Sequence, residues 1–257
     1  KLNSDDLKNK CEKIGYPLLV KSSAGGGGIG MSVVQNFKDL SKSIEKTSNM
    51  AEKSFGNGDV FIEKFITNAR HIEIQIFGFG DKGAVHLYER DCSMQRRYQK
   101  IIEESPAPEI DRTLIESMAN AAVKLSSDVK YQGAGTVEFI YDVEQKKYYF
   151  LEMNTRIQVE HPVTELVTNN DLVSMQINFA FNRKNKFLKQ EKISTYGHSI
   201  ECRVYAEDPS KNFLPSPGKI SKLTFPKVPN GIRLDWGYDE NDDVSFYYDP
   251  MIGKIIS

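Results

Sequence analysis

The sequence predicts an α+β protein built on antiparallel sheets. Apolar segments of strand length follow one another at residues 60–66, 71–77 and 83–90, and no helical segment separates them. Parallel strands need a long crossover, usually a helix, between each pair, so this order argues against a doubly wound parallel fold. Two more strands, residues 134–142 and 147–153, flank a short polar turn, which predicts a hairpin.

The other elements are predicted from the spacing of apolar residues and from glycine and proline breaks. The predicted helices are residues 4–14, 37–53, 111–128 and 171–182. The other predicted strands are residues 17–21 and 31–34, followed from His198 onward by strands that proline and glycine interrupt. The residues predicted to face inward in the third helix are Leu114, Met118, Ala121, Ala122 and Leu125.

Composition excludes several classes of function. The 34 basic and 35 acidic residues leave a formal charge of −1, so the sequence predicts no partnership with nucleic acid or with an anionic membrane. No apolar run approaches the roughly 18 residues of a membrane span. The three cysteines are far apart and match no metal-binding spacing, which favours a reducing compartment. We therefore expect a cytoplasmic location, or the mitochondrial matrix in a eukaryote.

The ends of the sequence suggest a piece of a longer polypeptide. The first residue is Lys1 rather than Met, and the chain stops within the apolar run that begins at Met251. We therefore expect neighbouring domains on either side.

A glycine-rich loop lies between the first two predicted strands. The segment Ala24-Gly-Gly-Gly-Gly-Ile-Gly30 is followed by a strand and not by a helix, so it fits neither a dinucleotide-binding turn nor a Walker A loop. Its backbone N–H groups could close over phosphates as a hairpin flap, with Lys21 at the mouth of the loop. The alternative is a flexible linker or a tight turn.

Two glutamates face each other in the predicted hairpin. If its turn is centred on Gln145, then Glu138 and Glu152 lie directly opposite each other, and Asn154 shares their face. Like charges in this position destabilise a sheet, whereas a hard cation such as Mg²⁺ would be bound by such oxygen atoms. The alternative is a pair of exposed glutamates on a hydrated face.

A polar segment follows the second carboxylate. Arg156 lies there with Gln158, Glu160 and His161, in a stretch that we predict to be too irregular for a helix. An arginine that can hold an oxyanion and a carboxylate that can accept a proton suit the binding of a small anion beside a base. The alternative is an ordinary capping loop before the helix at 171.

Taken in order, these motifs resemble the biotin carboxylase component of biotin-dependent carboxylases, in the ATP-grasp superfamily. The matching stretches are Lys21-Ser-Ser-Ala-Gly-Gly-Gly-Gly-Ile-Gly-Met31, Arg70-His-Ile-Glu-Ile-Gln75, Glu89-Arg-Asp-Cys-Ser-Met-Gln-Arg-Arg97, Gln99-Lys100, Gly133-Ala-Gly-Thr-Val-Glu-Phe139, Glu152-Met-Asn-Thr-Arg-Ile-Gln-Val-Glu-His-Pro162 and Phe213-Leu-Pro-Ser-Pro-Gly218. The resemblance covers essentially the whole chain. It implies that ATP and bicarbonate form carboxyphosphate, whose CO₂ is captured by the ureido nitrogen of carrier-bound biotin.

The resemblance also implies a role for individual residues. The implied nucleotide contacts are Lys21, Gly25, Gly26, Gly27, Gly28, Gly30, Glu63, Lys64, His71, Gln95 and Ile140. The implied Mg²⁺ ligands are Glu138, Glu152 and Asn154, and the implied bicarbonate pocket is Lys100, Arg156, Gln158 and Val159. Glu160 is the implied base, and Arg203 is implied to stabilise the biotin enolate. Tyr98 stands where many relatives have His.

The resemblance implies an ATP-grasp lid at 1–65, an ATP-grasp core at 66–196 and part of the β-rich biotin carboxylase C-terminal domain at 197–257. It also implies that the N-terminal nucleotide-fold subdomain lies outside this sequence. The expected partners are bicarbonate, a biotin carboxyl carrier and a carboxyltransferase, in an oligomeric full-length protein. Three short stretches, starting at Ser23, Asn68 and Lys211, lean towards the urea carboxylase branch, while acyl-CoA carboxylases stay open.

Two other functions stay open. One is a different ATP-grasp ligase, such as a carbamoyl-phosphate-synthase-like enzyme. The other is a catalytically silent nucleotide-binding module.

Overall fold

The computed structural model describes residues 4–24, 30–181, 188–225, 227 and 231–257. Its helices are α1 Ser4–Ile14, α2 Phe37–Phe55, α3 Arg112–Asp128, α4 His161–Thr168 and α5 Leu172–Ala180. Its strands are β1 Leu18–Ser22, β2 Met31–Val34, β3 Val60–Lys64, β4 Ala69–Phe79, β5 Ala84–Arg96, β6 Gln99–Ser105, β7 Gln132–Asp142, β8 Lys147–Asn154, β9 Ser199–Tyr205, β10 Glu207–Asp208, β11 Leu214–Pro215, β12 Gly218–Lys219, β13 Arg233–Trp236, β14 Asp243–Val244 and β15 Met251–Ile256. The predicted α+β class is confirmed. None of the described helices combines the length and the apolar character needed to cross a membrane.

The chain forms two compact units. The first consists of the described residues of Lys1–Ala69, with Gln95–Gln99 and Asp142–Lys146. The second consists of Arg70–Met94, Lys100–Tyr141 and the described residues of Lys147–Ser257.

The first unit contains a three-stranded antiparallel sheet in the order β2-β1-β3. Its core is apolar and consists of Cys11, Leu18, Val20, Val34 and Leu40, with the partly buried faces of α1 and α2 packed around it. Asn36 caps α2 by accepting from two backbone N–H groups of the first turn, which satisfies donors that the helix itself cannot pair.

The second unit contains an eight-stranded sheet in the order β13-β15-β9-β6-β5-β4-β7-β8. The buried residues of one apolar cluster on it are Phe77, Val85, Leu87, Ala134, Leu172 and Ile193. In β4, Ile72, Ile74 and Ile76 are buried on one face, as the alternation predicts, but Glu73 and Gln75 on the other face are fully buried as well. The polar face of this strand therefore points into the protein and not into solvent.

Two expectations about helices need correction. In α3, Met118 and Ala122 are buried as predicted, but Ala121 is exposed and Ile115 and Ala119 take up the inward positions. The segment after Glu160 is not an irregular loop, because α4 begins at His161 with Pro162 in its first turn. Proline suits this position, where a helix needs no N–H donor.

Candidate active site

Lys100 is the junction of three carboxylates that come from different elements. Its Nζ donates to Glu73 Oε2 at 2.5 Å, to Glu138 Oε1 at 2.9 Å and to Glu160 Oε1 at 2.7 Å. The sheet order β6-β5-β4-β7 brings Lys100, Glu73 and Glu138 to one region, and Glu160 reaches it from the residue before α4. An ammonium has three protons to donate, and here each one has a carboxylate acceptor.

Arg90 lies at the centre of β5 and is fully buried. All of its N–H groups have acceptors: Glu73 Oε1 at 2.5 Å, Gln75 Oε1 at 2.7 Å, Thr164 Oγ1 at 2.8 Å, Thr136 Oγ1 at 3.2 Å and Gln158 Oε1 at 3.0 Å. A buried charge is tolerated only when it is paired and hydrogen-bonded in this way. Arg90 therefore fixes the strand that carries Glu73 and the segment that carries Gln158.

These contacts set the ionisation of the cluster. Burial opposes the ionisation of Glu73, but the charges of Arg90 and Lys100 outweigh it and hold its pKa below the usual range. Burial likewise opposes the ionisation of Glu138, but His71 and Lys100 outweigh it and lower its pKa. Burial also works against the charge of Lys100, yet Glu73 and the other nearby acids raise its pKa. Glu73, Glu138 and Lys100 therefore stay charged at neutral pH.

Glu160 is held between two cations. Its Oε1 accepts from Lys100 and its Oε2 accepts from Arg203 Nη2 at 2.9 Å. Although Glu160 precedes the first residue of α4, its side chain forms no cap for that helix. The carboxylate is buried and aimed at Lys100 and Arg203, and its further lone pairs can still accept a proton from a substrate.

The family follows from this arrangement together with two comparisons. The family model described as "Carbamoyl-phosphate synthase L chain, ATP binding domain" matches residues 2–187, and the model described as "Biotin carboxylase C-terminal domain" matches residues 201–257. The first match covers well over half of the chain and includes Lys100, Glu138 and Glu160. The chain belongs to the biotin carboxylase family. The predicted ATP-grasp fold is thereby confirmed.

Individual relatives agree. Biotin carboxylase 1 of Bacillus subtilis is 48% identical over 255 residues, which are 99% of this chain and 56% of that protein. The mitochondrial methylcrotonoyl-CoA carboxylase subunit alpha of Dictyostelium discoideum is 46% identical over 250 residues, 97% of this chain and 36% of that protein. The chain thus spans between about a third and about half of the length of these two relatives. The lean towards the urea carboxylase branch stays a prediction.

A solved structure shares the fold. The biotin carboxylase domain dimer of Hydrogenobacter thermophilus 2-oxoglutarate carboxylase, in complex with MgADP, ADP and bicarbonate, superimposes with a TM-score of 0.92 at 43% identity. The alignment covers 99% of this chain and 55% of that one.

The predicted metal ligands of this biotin carboxylase chain come together. Asn154 Nδ2 donates to Glu138 Oε1 at 3.0 Å and to Glu152 Oε1 at 3.4 Å, so the two carboxylates share one face. Carboxylate and amide oxygens are the ligands that Mg²⁺ prefers, so these residues fit that ion. A second group of potential ligands combines His71, Glu73 and Glu138, but Lys100 Nζ already bonds to both of its carboxylates.

Gln158, Val159 and Arg156 belong to the same segment but differ in exposure. Gln158 is buried, and its Nε2 donates to Glu138 Oε1 at 2.9 Å. The Val159 carbonyl accepts from Lys254 Nζ at 2.5 Å. Arg156 is exposed and donates to the neutral oxygens Ile157 O and Asn154 Oδ1, at 3.2 and 3.4 Å. Its guanidinium therefore faces solvent beside the buried cluster.

In the second unit, His71 is close to the cluster. Its Nε2 lies 3.0 Å from Glu138 Oε2. Ile140 is a partly buried residue of β7, two positions beyond Glu138. The assignment of both residues to nucleotide binding stays a prediction.

In the first unit, Lys21 Nζ lies 3.9 Å from Glu63 Oε2 and 5.7 Å from the centre of the Phe61 ring. Lys64 Nζ donates to the carbonyls of Gly15 and Tyr16. Gly30 has a φ of +77° and accepts from the backbone N–H of Ser22, which closes the base of the loop between β1 and β2.

Gln95 and four glycines are the remaining nucleotide assignments of the first unit. Gln95 is a partly buried residue of β5. Gly25, Gly26, Gly27 and Gly28 lie outside the described residues. All of these nucleotide assignments stay predictions.

Sequence reasoning missed the residues that hold the site in place. Glu73 and Arg90 stand within the matching motifs without a predicted role, and Glu103, Glu201 and Lys254 have no predicted role either. The sequence carries no signal for the burial of Glu73 and Arg90, because strand alternation is the same for a solvated face and for a covered one. Glu103 and Glu201 look like ordinary outward residues of alternating strands until the two strands are paired.

Proposed function

We propose that this chain carries the biotin carboxylase half-reaction, a ligase activity in which ATP and bicarbonate carboxylate a carrier-bound biotin. The observation that carries the proposal is the position of Glu160, whose two oxygens are held by Lys100 and Arg203. One buried base thus connects a cation suited to bicarbonate with a cation suited to the ureido oxygen of biotin. A solved relative was captured with MgADP and bicarbonate, which supports this substrate set.

The first step needs bicarbonate to be held and deprotonated. Lys100 already donates to three carboxylates, so bicarbonate must take over or share one of these donors. The exposed fork of Arg156 can bind two oxygens of a planar anion in parallel. Glu160 accepts the proton of bicarbonate. At the same time a bicarbonate oxygen attacks the γ-phosphorus of ATP. ADP leaves, and the product is carboxyphosphate.

The second step needs CO₂ and a biotin enolate at the same place. Carboxyphosphate breaks down to CO₂ and phosphate, and the phosphate takes the proton from the ureido nitrogen. Arg203 then stabilises the negative charge on the ureido oxygen, which is the usual role of a preorganised cation at a developing oxyanion. The ureido nitrogen attacks CO₂ to give carboxybiotin. The Nη2 bond from Arg203 to Glu160 keeps this guanidinium beside the bicarbonate base.

Mg²⁺ bound by Glu138, Glu152 and Asn154 would offset negative charge on the ATP phosphates during the transfer. These residues contribute oxygen atoms on one face of β7 and β8. The hydrogen bonds from Asn154 to Glu138 and Glu152 hold the two carboxylates at a fixed spacing.

The proposal includes two partners, a biotin carboxyl carrier and a carboxyltransferase. The carrier brings biotin to this chain, and the carboxyltransferase then uses the carboxybiotin that is formed. The relatives named for methylcrotonoyl-CoA and 2-oxoglutarate carboxylation support a place within a larger carboxylase. The cysteines Cys11, Cys92 and Cys202 are free, which supports a reducing compartment such as the cytoplasm or the mitochondrial matrix. The final carboxyl acceptor is outside the chemistry of this site.

The proposal is tested with two variants of the full-length enzyme. Glu160→Gln should lower bicarbonate-dependent ATP hydrolysis by about two orders of magnitude or more while ATP still binds, because the general base is lost. Arg203→Ala should keep bicarbonate-dependent ATP hydrolysis but lose carboxybiotin formation. Equal loss of both activities in Arg203→Ala would contradict the separate role of this arginine.

An isotope experiment tests the chemistry itself. With ¹⁸O-labelled bicarbonate, the phosphate released by the wild-type enzyme should carry the label, because the bond to phosphorus is formed by a bicarbonate oxygen. Unlabelled phosphate would rule out carboxyphosphate. Free biotin should stimulate turnover, whereas a carbamoyl-phosphate-synthase-like enzyme would respond to an ammonia source and not to biotin.

A further inference from the structure

One face of the strands β6, β9 and β15 carries four charged residues, of which three are buried and Arg203 is largely buried. Glu103 on β6 lies directly opposite Glu201 on β9, and Arg203 on β9 lies directly opposite Lys254 on β15. Because residues two apart in a strand share a face, all four side chains lie on the same side of the sheet. We call Glu103, Glu201, Arg203 and Lys254 the buried quartet.

The two carboxylates of the buried quartet are poorly matched with donors. Both residues are fully buried. Glu103 Oε1 accepts from Arg203 Nε at 2.7 Å, but Glu103 Oε2 and both oxygens of Glu201 have no hydrogen-bond partner among the described residues. Buried polar atoms without partners are rare and costly, and they call for an explanation.

The cations of the buried quartet are already committed elsewhere. Arg203 also donates to Glu160, and Lys254 donates to the Val159 carbonyl. Lys254 Nζ lies 3.8 Å from Glu201 and 3.6 Å from Asp235, so it is shared between two acids. Glu160 also has Lys100 and Asp235 also has Arg233, so Glu103 and Glu201 are the two carboxylates of this face that depend on Arg203 and Lys254 alone.

The surrounding elements do not supply the missing charge. Other titratable groups around the two acids are Glu73 on β4, Lys100 on β6, Cys202 and Tyr205 on β9, and His161 and Glu165 on α4, which packs against β9. Lys100 is engaged by Glu73, Glu138 and Glu160. His161 lies against Glu165, and Arg233 donates to both Glu165 and Asp235. Tyr205 OH donates to the Lys100 carbonyl.

We infer that Glu103 and Glu201 share a single proton across the two strands, and that Glu103 is the positioning residue that orients Arg203. Two facing carboxylates in a dry site cannot both ionise at little cost, so one proton is retained by the pair. Burial raises the pKa of Glu201 to about 8 and that of Glu103 to about 7, although Lys254 and Arg203 act in the opposite direction. The remaining single charge balances Arg203 through its Nε, and the Nη2 stays directed at Glu160.

The shared proton matters for the proposed function, on which this part of the inference rests. When the pair loses its proton, a second negative charge lies on the same sheet face as Arg203. The guanidinium is then more fully compensated and stabilises a developing ureido oxyanion less well. Carboxybiotin formation should therefore fall at alkaline pH, while bicarbonate-dependent ATP hydrolysis in the absence of biotin should fall much less.

The proton itself is tested without any activity measurement. In infrared difference spectra of the full-length protein at neutral pH, the wild type should show the carbonyl band of a buried protonated carboxylic acid. Glu201→Gln should remove this band. The matched control is Glu104→Gln, one residue from Glu103 on the exposed side, where Glu104 pairs with His198; it should leave the band unchanged. A wild-type spectrum without such a band would overturn the shared proton.

Kinetics test the positioning role. Glu103→Ala should lower the kcat of biotin carboxylation at least about tenfold. Glu103→Gln keeps an acceptor for Arg203 Nε and should retain most of the wild-type kcat. Glu201→Gln should keep activity at neutral pH but shift the alkaline loss upward by about one pH unit or more, since glutamine mimics the protonated acid. An unchanged pH profile would contradict the inference, as would an equal loss of biotin-independent ATP hydrolysis in Glu103→Ala. A wild type that lacks bicarbonate-dependent hydrolysis altogether would instead contradict the proposed function, while the infrared band would still report on the proton.

Discussion

The three-stranded sheet of the first unit buries apolar side chains, whereas the eight-stranded sheet of the second unit buries a network of charges at its centre. In the first unit Leu18 and Val20 are fully buried, while Lys21 stays partly exposed with its nearest acid at 3.9 Å. In the second unit Arg90 and Glu73 are fully buried and bonded at 2.5 Å. An exposed charge is free to meet a ligand and adds little stability, whereas a buried pair fixes geometry and is costly to break.

The largest effect on stability is expected from Arg90→Met. The substitution leaves the fully buried Glu73 without its closest partner, which costs about 3–5 kcal/mol. Hydrogen exchange of the β4 and β5 amides in the full-length protein should detect this loss as faster exchange. Adding Glu73→Gln should recover part of the loss, because it removes the uncompensated charge.

The control for this prediction is an exposed pair. Lys130→Met removes the partner of Asp81, and both side chains are mostly exposed, so the cost should stay below about 1 kcal/mol. If Arg90→Met and Lys130→Met lower the free energy of unfolding equally, the buried network does not stabilise the protein more than an exposed ion pair does.

A smaller effect, with a clear pH dependence, is expected from Glu201→Gln. In the folded protein burial raises the pKa of Glu201 to about 8, from about 4.3 in an unfolded chain. Its contribution to stability is therefore fully present below about pH 4 and declines as the pH rises towards 8, because the folded state retains a proton that the unfolded state has lost. Relative to the wild type, Glu201→Gln should gain up to a few kcal/mol at pH 8–9 and close to nothing at pH 4, as measured by denaturant unfolding across this range.

The pH dependence of this stability difference separates a protonated Glu201 from an ionised one. A constant difference between Glu201→Gln and the wild type at all pH values would show that folding does not raise the pKa of Glu201. Glu104→Gln should show no comparable trend, because Glu104 is partly exposed and paired with His198.

The smallest effect on stability is expected in the first unit. Lys21→Ala should change the free energy of unfolding by no more than about 0.5 kcal/mol, because the side chain is partly exposed and its ion pair is long. The same change should raise the KM for ATP in the full-length enzyme by about tenfold, if Lys21 binds a phosphate in the ground state. Lys38→Ala, at an exposed position of α2, should change neither quantity. An unchanged KM in Lys21→Ala would remove this lysine from the nucleotide site.

Much of the fold followed from local patterns. The apolar spacing of residues 4–14 and the uninterrupted strand at 31–34 predict the helix α1 and the strand β2 with the observed bounds. The prediction of a loop at His161 is wrong, because the polar residues before α4 favour a loop even though Pro162 suits the first turn of a helix. The prediction that Ala121 of α3 faces inward is wrong, because the neighbouring alanines make the boundary between the apolar and polar faces of this helix hard to locate from sequence.

In the candidate site, too, one part could be predicted from the sequence and another part could not. The facing of Glu138 and Glu152 was predicted from a turn centre and a period of two, and the bonds from Asn154 to both carboxylates agree with it. The role of Glu73 could not be predicted, because period two gives the same pattern for a wet face and for a face covered by another part of the chain.

The sequence by itself determined the elements, the motif residues and the chemical class of the site, because helix and strand periodicity and the chemistry of side chains are local properties. Only the tertiary structure decided which charges are buried and which partners they have. Lys100 and Glu160 are 60 positions apart, and Glu103 and Arg203 are 100 positions apart. Contacts over such separations depend on sheet order and register, and these are set by the packing of the whole sheet.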